Sequence, residues 1–198
     1  MSTEHNTSVV NAFTQAELGW TPWLEPLAEA DLTDRHRVGL VDASRSKSPY
    51  FMLLAHDPEV LEARTRADKD IFYNPDGGLP RAERELSATA TSRHNGCIFC
   101  ASVHSRFASS HSKRRDDVQR LLDEGTSTDL GDRWNAVTAA AVALTDTPSS
   151  FGEDQIARLR AAGLDDFEIT DVISASAFFN WANRLMLSLG EPVPPQAA

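Results

Sequence analysis

The stretch NGCIFCASVH, residues 95–104, holds both cysteines of the chain with two residues between them, and a histidine four positions after the second. Two thiols at this spacing admit three readings: a redox dithiol, part of a metal site, or two small side chains packed in a core. On a helix Cys97, Cys100 and His104 stand at i, i+3 and i+7 and share one face. Gly96 closes the preceding segment, so Cys97 opens the next helix, where the partial positive charge of the N-terminus favours a thiolate. Side chains at i and i+3 have β-carbons ~5–6 Å apart, slightly more than a disulfide takes, and a first turn can tighten by that amount. His104, one turn beyond Cys100, can hold or deliver a proton. These are the components of an activated thiol.

A carboxylate joins them. Glu85 lies twelve residues before Cys97, on a helix that must turn back at Asn95-Gly96, and stands at the edge of the inward face marked by Ala82 and Leu86. From there it can hydrogen-bond a histidine or pass protons toward a sulfur. Zinc is the competing use of the same groups, with Cys97, Cys100 and His104 as ligands and Glu85 or water as the fourth. No second C-x-x-C or H-x-x-H closes a structural site, so the expectation is no metal and no cofactor.

The elements that must position these groups read as helices. Asp57-Pro58 pairs an N-cap with a first-turn proline and opens a helix over Glu59–Phe72. NPDGGLP, residues 74–80, is a turn cluster and the clearest internal boundary, dividing an N-terminal extension with its helices (1–75) from a core (76–190) within one domain. Pro80 opens the helix RAERELSATATSRH, which stops at Asn95-Gly96, and the C-x-x-C segment continues helically to about His111. Further helices are expected over Asp116–Glu124, Arg133–Leu144 and Glu153–Ala162. Asp165-x-x-Glu168 is a capping box that starts a long last helix, with Ile169, Val172, Ile173, Ala177, Phe178, Trp181, Leu185 and Leu189 as its apolar face. Gly190 and the prolines of EPVPP stop it.

Residues before about 34 have weak periodicity and read as an extension packed onto the rest. Strands are almost absent, so the fold class is all-α: a multi-helix bundle with a helical N-terminal extension. No strand precedes Cys97, which separates this dithiol from the βαβ setting of thioredoxin-like proteins.

Composition limits the partners. With 198 residues, 41% hydrophobic and 24% charged, the chain can bury a full core, and its net charge of −10 favours neither nucleic acid nor an anionic membrane surface. The one basic cluster, Lys113-Arg114-Arg115, is cancelled by Asp116-Asp117. No run approaches the ~18 apolar residues of a membrane span. The first thirty residues carry four glutamates and no Lys or Arg, unlike a signal peptide, so a cytoplasmic location is expected. In that reducing compartment a cysteine pair is catalytic or metal-binding sooner than a structural disulfide. His36, His56, His94 and His111 read as surface or capping residues; the four tryptophans as core or interface; Asn180 and Arg184 as helix-packing residues.

Glu85, Cys97, Cys100 and His104 together, with RELSATATSRHNGCIFCASVHSRFA and FFNWANRL, resemble the alkylhydroperoxidase D and carboxymuconolactone decarboxylase superfamily, in its peroxidase-related branch. The resemblance spans about Pro49 to Gly190. It implies an all-helical subunit that forms homo-oligomers and an enzyme that reduces small peroxides through a dithiol–disulfide cycle. By position it makes Cys100 the attacking thiol, Cys97 the resolving thiol, and His104 with Glu85 the proton relay. An external dithiol must then re-reduce the protein. Alkylhydroperoxidase D itself has a histidine directly before the second cysteine, where this chain has Phe99. Two other readings use the same fold: a carboxymuconolactone decarboxylase-like enzyme, whose branch typically lacks the cysteine pair, and a non-catalytic oligomerising scaffold.

Overall fold

Side-chain caps and glycine turns set most of the helix limits. The computed structural model describes residues 10–195. After strand β1 (Gly19–Pro22) come α1 (Asp34–Leu40), α2 (Pro49–Leu54) and α3 (Pro58–Tyr73). The core follows as α4 (Arg81–His94), α5 (Ile98–Ser112), α6 (Arg115–Glu124), α7 (Asp132–Thr145), α8 (Glu153–Ala161) and α9 (Asp166–Leu189), and strand β2 (Gly190–Val193) ends the order. Asp57 caps α3 by accepting the Val60 N–H at 3.2 Å. The Asp165/Glu168 box caps α9 reciprocally, at 2.8 and 3.0 Å. Between α4 and α5 the backbone passes through φ 78° at Gly96, a left-handed turn that a side chain would oppose. The Cys97 N–H donates to the Ser92 carbonyl across that turn at 2.9 Å. The fold is all-α, as the helical periodicity implies, and among the described residues no helix is long and apolar enough to cross a membrane.

Helix α4 is the axis of the bundle: Glu83 to Ser92 are all buried, against α5, α7 and α9. Its sequence is polar, so burial requires partners for each charge. Arg133 from α7 grips Glu83 through both carboxylate oxygens and reaches Glu168 at 2.8 Å. Arg84 donates to the carbonyls of Leu79, Ile71 and Asn74 at 2.6–3.1 Å, fastening the 74–80 turn to the bundle. Ser87 and Thr89 return their hydroxyls to the carbonyls one turn back. Small residues at the other positions let neighbouring helices approach closely. One apolar core gathers Leu86, Val118, Leu121, Val137, Leu159 and Val172; a second surrounds the cysteines with Trp20, Tyr50, Phe72, Phe179 and Met186.

One feature has no signal in the sequence, and one expectation needs correction. The chain has a two-stranded antiparallel sheet, β1 with β2, pairing Gly19 with Val193 and Pro22 with Gly190. Four-residue strands are too short to show a period of two, and their partner lies at the far end of the sequence. Gly190 therefore does more than end α9: a β-carbon there would lie 2.3 Å from the Thr21 carbonyl oxygen and the Trp20 ring.

The inward face of α9 is also rotated from the apolar stripe. Ile169 and Val172 are buried as expected, but the remaining inward positions are Ala175, Ser176, Phe179, Ala182, Asn183 and Met186. Ala177 is exposed and Trp181 is 40% exposed. Small residues allow α9 to pack closely on α4, and the buried polar ones are satisfied: Ser176 on the Val172 carbonyl, Asn183 on Ser92. Hydrophobicity alone does not register such a face.

Candidate active site

A cavity of about 330 Å³ opens beside the start of α5, walled by Tyr50, Phe51, Phe72, Phe99 and Phe179. Cys100, His104 and Glu85 all line it. The His104 Nδ1 lies 2.5 Å from Glu85 Oε2. The other oxygen of Glu85 accepts from Arg81 Nε at 2.6 Å and Nη2 at 2.5 Å. Glu85 is 0% exposed, so Arg81 is the cation that makes a buried carboxylate tenable there. A carboxylate held by a guanidinium only accepts hydrogen bonds, which assigns the proton of His104 to Nδ1 and leaves Nε2 as the working nitrogen. The imidazole is clamped between Phe179, 4.0 Å centroid to centroid, and Phe72, at 5.4 Å.

The two thiols face different spaces. Cys97 caps α5, is 1% exposed, and lines a smaller cavity of about 140 Å³ with Trp20, Gly96, Met186 and Pro192. Cys100, one turn on, lines the aromatic cavity. Both are free thiols. The shared helix face read from the spacing therefore brings Cys100 and His104 into one pocket and leaves Cys97 behind them. Phe99 lies between the two spaces, lining both, so the position before the second cysteine supplies an apolar wall and no proton carrier.

Their ionisation is shared. Cys97 is held below the usual thiol range, first by a hydrogen bond from the Cys100 thiol, then by the Cys100 backbone N–H and the Asn183 amide, against the opposing effect of burial. Cys100 is pushed well above that range, because its proton is the one that Cys97 uses and because burial disfavours a second charge. The pair thus favours one thiolate and strongly resists two. We expect titration of the reduced protein, followed by thiolate ultraviolet absorbance, to give one thiolate per chain with a midpoint below that of a free cysteine. The second should appear only at strongly alkaline pH. Cys100→Ala removes the leading stabiliser and should move the Cys97 midpoint up; Asn183→Leu should move it in the same direction by less. Two independent ionisations at the ordinary thiol range would contradict the shared proton.

Asn183 and Arg81 are the site residues that the sequence reading missed. Asn183 is fully buried, donates to Ser92 Oγ at 3.0 Å and accepts from Asn95 at 3.1 Å, which aims its amide at the dithiol. The residues singled out beside it, Asn180 and Arg184, pair with each other, and Asn180 also with Asn95; neither lines the cavity. Arg81 had a visible signal, its i, i+4 spacing to Glu85. Of the remaining histidines, His36 completes a cap with Thr33, His56 meets the Glu25 carbonyl, and His94 pairs with Asp146 at 3.0 Å. Trp20 and Trp134 are core, whereas Trp23 is exposed. Among the described residues no group of three His, Cys, Asp or Glu side chains is arranged to hold a metal ion. Glu85, the zinc reading's fourth ligand, is already occupied by Arg81 and His104.

The arrangement can therefore supply a thiolate, a second thiol within reach of the first, and an oriented imidazole backed by a carboxylate. Residues 58–143, which include all four of these groups, match the carboxymuconolactone decarboxylase family. No curated protein sequence matches the chain significantly. In structure it is similar to a peroxidase-related protein from Ralstonia eutropha JMP134 with an alkylhydroperoxidase AhpD core. That likeness has a TM-score of 0.72 and 24% identity over 85% of this chain and 90% of that one. A peroxidase-related protein from Silicibacter sp. TM1040 gives TM-score 0.67 and 20% identity, over 97% and 94%. The debrominase Bmp8 gives 0.68 and 18%, over 84% and 89%. The chain thus carries the sequence pattern of the carboxymuconolactone decarboxylase family over residues 58–143, within a helical fold similar to that of the AhpD-core, peroxidase-related structures.

Proposed function

We propose that the protein is a thiol-dependent peroxidase. The carrying observation is Cys100 on the wall of an aromatic cavity that also holds His104, oriented by Glu85. In this reading the Cys100 thiolate attacks the distal oxygen of a hydroperoxide, ROOH. The O–O bond breaks, His104 gives the leaving alkoxide a proton that Nε2 has first taken up from solvent, and the products are ROH, a Cys100 sulfenic acid and a neutral imidazole. The Cys97 thiol then displaces hydroxide, which leaves as water, and a Cys97–Cys100 disulfide forms. An external dithiol, in a reducing cytoplasm, exchanges with that disulfide, returns both thiols and is itself oxidised. The buried cysteines and small cavities favour intramolecular resolution over capture by another chain.

Stoichiometric peroxide should remove two thiols per chain, and mass spectrometry should find the two-proton loss within one peptide carrying both cysteines. Sulfonic acid at Cys100 with Cys97 still reduced would overturn the cycle. The decarboxylase alternative uses acid–base chemistry at His104 and Glu85 without sulfur, so it predicts an activity on carboxylated lactones that survives Cys100→Ser. The scaffold alternative predicts thiols that peroxide leaves untouched.

The same reading includes self-association. Phe167, Trp181 and Leu187 on α9 and Trp23 and Leu24 near the amino end place large apolar side chains at the surface. Gel filtration with light scattering should give a multiple of 21.7 kDa. A clean monomer at micromolar concentration would remove the oligomer from the proposal.

A further inference from the structure

The aromatic cavity concentrates positive charge at one end. Its lining includes three guanidiniums, Arg45, Arg64 and Arg81, but two carboxylates, Asp68 and Glu85. Glu85 is committed to Arg81 and His104. Asp68 alone serves the other two cations, and loosely: Oδ2 lies 3.3 Å from Arg64 Nη1 and 3.8 Å from Arg45 Nη2. Arg45 has one further partner, the Leu40 carbonyl at 3.4 Å. The Arg64 side chain is 8% exposed, and its Nε has no hydrogen-bond partner. Both guanidiniums lie over the Phe51 ring, at 4.7 and 5.5 Å, and Arg64 also over Phe178 at 5.2 Å. Stacking on aromatic faces holds the cations in place but does not neutralise them. An arginine does not shed its proton to escape burial, so the pair remains cationic and has to share Asp68 as its lining carboxylate.

We propose that Arg45 and Arg64 form a carboxylate-binding subsite, so that the cavity takes an organic hydroperoxide with an apolar, aromatic-compatible body and one carboxylate. The proposal rests on the peroxidase reading for the peroxide half of that substrate; the subsite itself follows from two guanidiniums that loosely share one lining carboxylate. Beside Asp68 the Arg45/Arg64 pair has one cation to spare, which a single carboxylate matches. Both guanidiniums line the cavity, and planar guanidiniums are the donors that carboxylates accept best. The aromatic walls fit the body of such a molecule, and about 330 Å³ is the lower end of ordinary ligand-site volumes and far more than hydrogen peroxide requires. Burial weakens Arg45's hold on its proton; Asp68 opposes that, the neighbouring Arg64 charge adds to it, and Asp42 opposes it again. Arg45, Tyr50 and Phe51 precede the family-matched residues 58–143. The extension thereby supplies part of the selectivity, on top of chemistry supplied by α4 and α5.

Binding can be read without turnover. The probes are para-isopropylbenzoate and para-isopropylbenzamide, matched in shape and different in charge, measured by calorimetry on the reduced full chain. Benzoate should bind about tenfold or more tightly than the amide, the usual scale for a hydrogen bond to a charged group. Arg64→Gln should bring the ratio close to one; Arg45→Gln, at a less buried position and less exposed to folding failure, should reduce it severalfold. Equal affinities in the unaltered protein, or a preference that survives folded Arg45→Gln and Arg64→Gln, would overturn the subsite. The reactive pair, para-carboxycumene hydroperoxide against cumene hydroperoxide, should show the same preference in the rate of dithiol oxidation. Fast oxidation by both at one rate would sink the subsite and leave the peroxidase reading intact. A clear benzoate preference with a dithiol inert to both peroxides would support the subsite and sink the peroxidase reading.

Discussion

Cys97→Ser treated with one equivalent of peroxide should accumulate a sulfenic acid at Cys100 that dimedone labels, whereas Cys100→Ser should label nowhere. Two features of the structure bear on this in opposite directions. The resting pair favours its thiolate at Cys97, held by the Cys100 thiol and by the start of α5. Yet the space that can admit a peroxide beside an acid belongs to Cys100. The role assignment follows the space, because reaction needs a nucleophile, an entering O–O bond and a proton donor at one place, and a thiolate population costs only one proton transfer between hydrogen-bonded sulfurs. Replacing Cys97 by serine leaves a hydroxyl where the favoured thiolate was, so Cys100 becomes the only sulfur that can ionise. Its rate should rise with pH until that ionisation is complete, at a midpoint above the one found for the native pair, since burial opposes the charge. Replacing Cys100 removes the thiol from the aromatic cavity, and oxidation should fall to the background of a buried thiol. Dimedone on Cys97 in the Cys100→Ser protein would reverse the roles and move the peroxide to the smaller cavity behind Trp20.

The four candidate groups were legible because each has a type and a spacing that chemistry constrains. Helix limits at Asp57, Gly96, Gly125, Gly163 and Asp165 were equally legible, since capping is local and its residues announce it. What escaped is long-range. The β1–β2 pair joins the two ends of the chain, and no window of sequence contains both strands. The inward face of α9 was misplaced because its packing uses alanine, serine and asparagine, which a hydrophobic stripe does not count. Asn183 escaped for the same reason: a buried amide is informative only once Ser92, Asn95 and the thiols are seen around it. Nothing in the sequence sets Arg45 and Arg64 apart from the other basic residues, nineteen in all, until the folded chain sets both over Phe51.

His104→Ala should slow dithiol oxidation by ~10²–10⁴-fold, the range of a positioned general acid. Glu85→Gln should slow it in the same direction, and the double variant should be little slower than the worse single one. The reason is geometric. His104 reaches the cavity with Nε2 only because Glu85 fixes Nδ1, and Glu85 acts on substrate only through that ring. Residues that act as one unit are lost together, so their effects do not add. Arg81 complicates the glutamine variant. Its guanidinium would face a neutral amide at a position where it now holds a buried carboxylate at 2.5–2.6 Å, and breaking a buried pair typically costs ~3–5 kcal/mol of stability. Glu85→Gln should therefore melt lower than His104→Ala, and rates must be compared well below both transitions. Stopped-flow tryptophan fluorescence can follow the reaction, since Trp20 shares the core around the dithiol. The peroxide dependence separates the alternatives: loss of the acid should lower the bimolecular rate for alkyl hydroperoxides most where the leaving alkoxide is most basic. A rate that is unchanged in both variants would remove the relay and leave Cys100 as no more than an accessible thiol. Additive losses would instead mean that His104 and Glu85 act on the reaction by separate routes.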